Sequence, residues 1–293
     1  MVVLSRDQAF EQLRSNVELT GLQEKTVASR HKNIRAAVAG QLTVVDDFLA
    51  GSYRRQTLIG PLKDADVDVM VVLDRSYRDA GARAVLEKVR EALRTKYSAS
   101  KISRNGQAVT ITFSDFVVDV VPAFRLPWYS WNDGWEICDS ATVGWIMTNP
   151  KKHVELSSAA NRAHGAQLVP RIKQLKAWNR TAGEPLRSFH IEVLAWSIFG
   201  TSWWWHESVR SDWASAAMFF DRAPERLRYK LADPAGTGGD VGAYLTGSAL
   251  EQAIRKLNTA AERCQRAEKA ARDGTLASMH DAYRRVFGNY YPG

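Results

Sequence analysis

The 293-residue chain is poor in cysteine, has no apolar run near the ~20 residues of a membrane span, and shows no internal repeat. Each shortage excludes something. Cys138 and Cys264 stand far apart without metal-ligand spacing, so neither a disulfide scaffold nor a zinc site is expected. The most apolar stretch, VLAWSIFGTSWWW, is broken by Gly200 and soon followed by His206 and Glu207. The N-terminus, MVVLSRDQAF, turns polar too early for a signal peptide. A cytoplasmic location with no membrane partner is the expectation. The six histidines show no pairing that suggests a ligand set.

What is present is the composition of a folded protein. Hydrophobic residues make up 45% and charged residues 25%, and the length suits one large domain or two moderate ones. A formal charge of +8 favours polyanionic ligands such as nucleotides or RNA over basic partners. The pattern divides the chain in two. Residues 6–40 carry helical periodicity through Phe10, Leu13 and Val17, then Ile34, Ala37 and Val38. A strand is predicted at 67–73, an amphipathic helix at 78–98, and a hairpin of 108–113 and 116–122 turning at Ser114–Asp115. Residues 122–150, rich in Pro, Gly and Trp, read as an irregular connection. From about 150 onward the spacing is helical.

The segment GSYRRQTLIGPLKDADVDVMVVL (51–73) sets acids at the mouth of a valine-rich strand. Alternation along a strand would project Asp64, Asp66 and Asp68 together, with Val67, Val69 and Val71 turned the other way. Like charges held so close resist ionisation unless a cation neutralises them. All-oxygen ligands favour Mg²⁺, which uses one or two protein carboxylates together with substrate phosphates and water. Upstream, Gly51 and Ser52 suit a tight helix entry whose N–H groups and hydroxyl meet phosphate oxygens. Asp119 interrupts a second apolar strand, FVVDVVP, whereas Asp115 occupies a turn position that favours Asp for local reasons. Alternation alone does not choose between the pairs Asp64–Asp66 and Asp66–Asp68. Asp66 belongs to both.

These motifs together resemble the nucleotidyltransferase superfamily that includes DNA polymerase beta, and within it the bacterial CD-NTases, relatives of cyclic GMP-AMP synthase and oligoadenylate synthase. GSYRRQT with DADVDVMVVL resembles the family's Gly-Ser and paired-acid motif, and VDVVPAF the segment bearing its third acid. LKAW (175–178) and SFH (188–190) resemble the helix lysine and polar-aromatic pair that hold a donor triphosphate, and LADPAGTGGDVG (231–242) the late Asp-Pro loop. The resemblance implies an α+β fold: a polymerase-beta-like core of mixed sheet and helices over 1–150, a C-terminal all-α lobe over 151–293, and an active site in the cleft between them. By the family's spacing from its Gly-Ser, it implies Asp64 and Asp66 as the metal pair, with Asp68 in reserve and Asp119 as third ligand. Two Mg²⁺ (or Mn²⁺) ions would serve there. Gly51, Ser52, Lys173, Lys176 and Ser188 would bind the NTP substrates. The implied product is a cyclic di- or trinucleotide second messenger for anti-phage signalling, sensed by a downstream effector protein.

Rival readings use the same acids: an RNA- or tRNA-tailing enzyme, or one that nucleotidylates a protein or antibiotic. A silent nucleotide- or RNA-binding module would have no need to hold carboxylates together. Beyond 250 acidic Glu251, Glu262 and Glu268 mix with the basic residues, unlike an RNA-binding appendage. Two basic clusters, Arg30–His31–Lys32–Arg35 and Lys151–Lys152–His153, offer a surface for a regulatory RNA or protein activator. Trp203, Trp204 and Trp205 face different ways on any helix and are assigned to burial rather than base stacking.

Overall fold

The computed structural model describes residues 4–126, 134–139, 144–200, 211–237 and 239–292. Two compact units emerge: Leu19–Leu156, and Met1–Glu18 together with Ser157–Gly293. The first helix, α1 (Arg6–Val17), starts from a capping box between Ser5 and Gln8. It belongs to the helical unit, not to the sheet unit with which its sequence position groups it, because Phe10 packs edge-on against Tyr283, Phe287 and Tyr291.

The sheet unit begins with α2 (Gly21–Ala39), β1 (Val44–Leu49) and the four-residue α3 (Gly51–Arg54). Then come β2 (Asp66–Leu73), α4 (Ala82–Lys96), β3 (Lys101–Asn105), β4 (Ala108–Thr112) and β5 (Val117–Arg125). Two further strands, β6 (Trp135–Cys138) and β7 (Trp145–Thr148), replace part of the expected irregular connection; residues 127–133 and 140–143 of it lie outside the described residues. The strand order is β1-β2-β5-β4-β3, with β6 on β5 and β7 on β6. Strands β2 and β5 run parallel and the other pairs antiparallel. One edge of β5 is shared, since β4 pairs with 117–120 and β6 with 123–125. Pro122, unable to donate to a ladder, sits at the changeover.

The two faces of this sheet have different fates. Val67, Val69, Val71 and Leu73 join Val118, Val120 and Phe124 in a core shared with α2 and α4. Helix α4 meets it with Ala82, Val85, Leu86, Val89 and Leu93, at helical spacing. Met70, Val72, Val121 and Ala123 form a second apolar cluster with Trp135 and Ile137. By alternation Asp66, Asp68 and Asp119 fall on this second face.

Helix α5 (Pro150–Ala163) crosses residue 156, where the units divide. The helical unit continues with α6 (Leu168–Thr181), α7 (Ser188–Phe199), α8 (Asp212–Arg226), α9 (Gly247–Arg272) and α10 (Leu276–Phe287). Positive φ at Gly165 and Ala166 separates α5 from α6, which the sequence pattern runs together. Arg14 and Gln174 both donate to the buried Asp212 carboxylate, the latter at 2.6 Å, which ties α1, α6 and α8.

Candidate active site

Register decides which acids meet. Asp68 and Asp119 are direct partners across the parallel β2–β5 pair, and Asp66 lies one step along the same face, opposite Val117. Asp64 does not share the alternation. It closes a 3-10 turn, Leu62–Asp64, and the strand starts only at Asp66. The sequence reading of Asp64 with Asp66 therefore meets a physical objection, because the side-chain period that would align Asp64 with the others begins after it.

Gly51 lies against Asp68. Gly51 has φ +58°, and a Cβ placed there would stand 1.7 Å from Asp68 Oδ2, so only glycine fits this approach. The main chain is stitched at the same point, with Ala50 N–H donating to Asp68 O at 2.9 Å. Ser52 follows in α3, and its carbonyl accepts from Thr57 N and Leu58 N, fixing the loop that leads toward β2.

Asp119 is half-buried and accepts a hydrogen bond from Thr110 Oγ1 at 2.6 Å. Burial pushes its carboxyl pKa up, while the Thr110 bond, which favours the ionised form, pulls the other way. Burial wins. Thr110 escaped the sequence reading, although a hairpin symmetric about Ser114–Asp115 already pairs 110 with 119.

Two predicted triphosphate ligands have partners inside the helical unit. Lys176 is buried and donates to the fully buried Glu192 at 2.7 Å, and Lys173 pairs with Glu18. Ser188 opens α7 and is exposed, with Arg187 as the cap residue. The basic clusters are largely neutralised at close range. Arg30 pairs with Asp115, His31 and Arg35 with Asp47, Lys151 with Asp46, and Lys152 with Glu155, while His153 is buried. Trp203, Trp204 and Trp205 lie outside the described residues. Among the described residues no helix is long and apolar enough to cross a membrane.

Among the described residues, no three acidic, histidine or cysteine side chains stand as a ready-made metal cage. The donor set nonetheless fits Mg²⁺, which completes its shell with water and substrate phosphates around one or two carboxylates. A parallel-paired Asp68–Asp119 with Asp66 beside them, on a mixed sheet in which Gly51 lies against Asp68, forms a candidate nucleotidyltransferase core.

Comparison with known proteins places that core in a family. The Second Messenger Oligonucleotide or Dinucleotide Synthetase domain matches residues 4–161, and the chain belongs to this family, the bacterial CD-NTase enzymes. A cyclic AMP-AMP-AMP synthase of Acinetobacter sp. (strain ATCC 27244 / 9458) is 23% identical over 311 residues, covering 99% of this chain and 86% of that protein. A probable cyclic nucleotide synthase of Bacillus cereus (strain VD146) is also 23% identical, covering 83% of this chain and 81% of that protein. The solved structure of Escherichia coli MS115-1 CdnC with ATP shares the fold, with a TM-score of 0.78 at 17% identity over 98% of this chain and 99% of that one. The same protein in complex with HORMA-deltaN aligns with a TM-score of 0.75, also at 17% identity, over 98% of each chain.

Proposed function

We propose that this CD-NTase joins NTPs, releasing pyrophosphate, and closes the product into a cyclic di- or trinucleotide second messenger used in anti-phage signalling and sensed by a downstream effector. The observation that carries the reading is the register pairing of Asp68 with Asp119, with Gly51 packed on Asp68. The metal ligands in this reading are Asp66, Asp68 and Asp119, in place of Asp64. Two bound Mg²⁺ or Mn²⁺ ions would supply charge neutralisation at the α-phosphate and acidify the attacking ribose hydroxyl.

The chain's own residues do the rest. Asp66 and Asp68 would hold the cations that meet the triphosphate, and Gly51 and Ser52 bring N–H groups and a hydroxyl to phosphate oxygens. Asp119 serves the attacking side, its carboxylate aimed by Thr110. The ribose hydroxyl loses its proton to solvent as its oxygen forms a bond to the α-phosphorus, the bond from that phosphorus to the oxygen bridging to the β-phosphate breaks, and pyrophosphate leaves with the electron pair. Ser188 is assigned to the donor triphosphate. Lys176, bound to Glu192, is assigned to shaping that pocket, with Lys173 beside it. For regulation, the complex that CdnC forms with HORMA-deltaN and the local neutralisation of the basic clusters favour a protein partner over duplex RNA.

The test is incubation with all four NTPs and Mg²⁺ or Mn²⁺, phosphatase treatment and mass spectrometry. Phosphatase-resistant cyclic products should appear with the unaltered chain and with Asp64→Asn, and should vanish with Asp66→Asn, Asp68→Asn and Asp119→Asn. An inactive Asp64→Asn beside an active Asp68→Asn would return the metal pair to Asp64 and Asp66. Linear products only would overturn the cyclase reading.

A further inference from the structure

Several cations of the helical unit pair with carboxylates. Lys173 pairs with Glu18, Lys176 with Glu192, Arg14 and Arg171 with Asp212, and Arg228 with Glu251. Arg187 differs. It caps α7, it is exposed, and among the described residues no carboxylate pairs with it.

Despite its exposure, Arg187 is held from both ends. Its guanidinium carbon lies 4.3 Å from the centroid of the Tyr244 ring, and its backbone N–H donates to Tyr244 Oη at 2.7 Å. Tyr244 is braced in turn by His190, whose Nδ1 is 3.1 Å from the same oxygen, and His190 is buried in the first turn of α7. The loop before Tyr244 closes against that histidine at Gly242, where a Cβ would stand 3.3 Å from the ring. Asp240 secures the loop by accepting from Leu231 N and Gly242 N.

Restricting a long, charged side chain at a surface costs rotamer entropy, and a cation–aromatic contact offsets only about 0.5–1 kcal/mol of it at exposed sites. A stacked guanidinium keeps its N–H edge available. That edge matches paired oxyanions and suits phosphate better than a point charge does. The start of α7 contains no anion of its own, having neither an acidic residue in its first turn nor a side-chain cap. Ser188, proposed to hold the donor triphosphate, is the next residue.

We propose that Arg187 binds phosphate oxygens of the NTP through its guanidinium fork, and that Tyr244 is its positioning residue. This rests on the reading that Ser188 meets the donor triphosphate. The experiment uses the full chain and two probes, a non-hydrolysable ATP analogue with Mg²⁺ and inorganic tripolyphosphate, titrated calorimetrically with melting curves alongside. Arg187→Gln should weaken both probes about tenfold or more without lowering the melting temperature, and Arg187→Lys should restore part of the loss. Tyr244→Leu should weaken both probes several-fold while Ser188 and Arg187 remain. Unchanged affinity for both probes in Arg187→Gln overturns the proposal, and this variant decides alone if Tyr244→Leu does not fold. Normal affinity in a folded Tyr244→Leu overturns the positioning role. Tripolyphosphate binding that depends on Arg187, in a chain that makes no nucleotide product, would sink the synthase reading and leave the phosphate site standing.

Discussion

Replacing Thr110 with valine removes one hydroxyl and keeps the shape of a β-branched side chain within a strand, so it isolates a single bond. That bond is the 2.6 Å donation to Asp119 Oδ1. Hydrogen bonds to charged groups contribute about 1.5–3 kcal/mol, and the half-exposure of Asp119 argues for the lower end. About 1.5 kcal/mol is close to tenfold in rate if the bond aims the carboxylate in the transition state. The pH dependence has a definite sign. Burial raises the Asp119 pKa and the Thr110 bond lowers it, so Thr110→Val leaves the raising influence unopposed. In the metal-free chain the Asp119 carboxyl should therefore titrate at higher pH in the variant than in the unaltered chain. Stability has the opposite sense. A carboxyl whose pKa is raised in the folded state stabilises the fold when protonated and loses that contribution as pH rises from the unfolded pKa through the folded one. Asp119→Asn should thus melt no lower than the unaltered chain at neutral pH, though it makes no product. The assay is initial-rate product formation with Mg²⁺, beside a metal-free pH titration of the Asp119 carboxyl by NMR, for the unaltered chain, Thr110→Val and Thr110→Ser, the last of which keeps a donor. An unmoved Asp119 titration together with full turnover in Thr110→Val would refute the assignment of Thr110 as the group that aims Asp119.

Two more perturbations separate the site from its scaffold. Gly51→Ala puts a methyl group onto the Asp68 carboxylate and strains a residue at φ +58°, at a backbone cost of about 1–2 kcal/mol; product formation should collapse with only a modest drop in melting temperature, and retained activity would show that Asp68 is not in the site. Lys176→Met takes the lysine from the fully buried Glu192 and should destabilise the helical unit by about 3–5 kcal/mol in denaturant melts, with Lys176→Met plus Glu192→Leu recovering much of the loss; an unchanged midpoint in the single variant would return Lys176 to a direct role in nucleotide binding.

A great deal of this protein is written locally. Alternation in VDVMVVL and VDVVPAF identifies two strands with acids on one face, because the period of a strand is a property of the chain alone. The turn at Ser114–Asp115 places β4 against β5, and through that symmetry Thr110 opposite Asp119. The family resemblance is likewise local, carried by Gly51–Ser52 and the acids that follow. The strands β1, β6 and β7 draw their order from neighbours distant in sequence, β1 from β2 and Trp135 and Ile137 of β6 from Met70 and Val121, whereas β3 pairs locally with β4 across the Asn105–Gly106 turn signal, which the strand pattern left unused.

Tertiary structure alone decided the rest. Whether Asp64 or Asp68 shares a strand face with Asp66 depends on where β2 begins and on its register with a parallel strand some fifty residues away, which no periodicity encodes. The fate of each lysine depended on helices meeting. Lys176 finds Glu192 and Lys173 finds Glu18 only after α6 packs with α7 and α1, since a charge leaving water must acquire a partner wherever the fold brings one within reach. Arg187 and Tyr244, 57 residues apart, meet for the same reason: the loop that follows α8 folds back on the start of α7 and sets the aromatic face beneath the guanidinium.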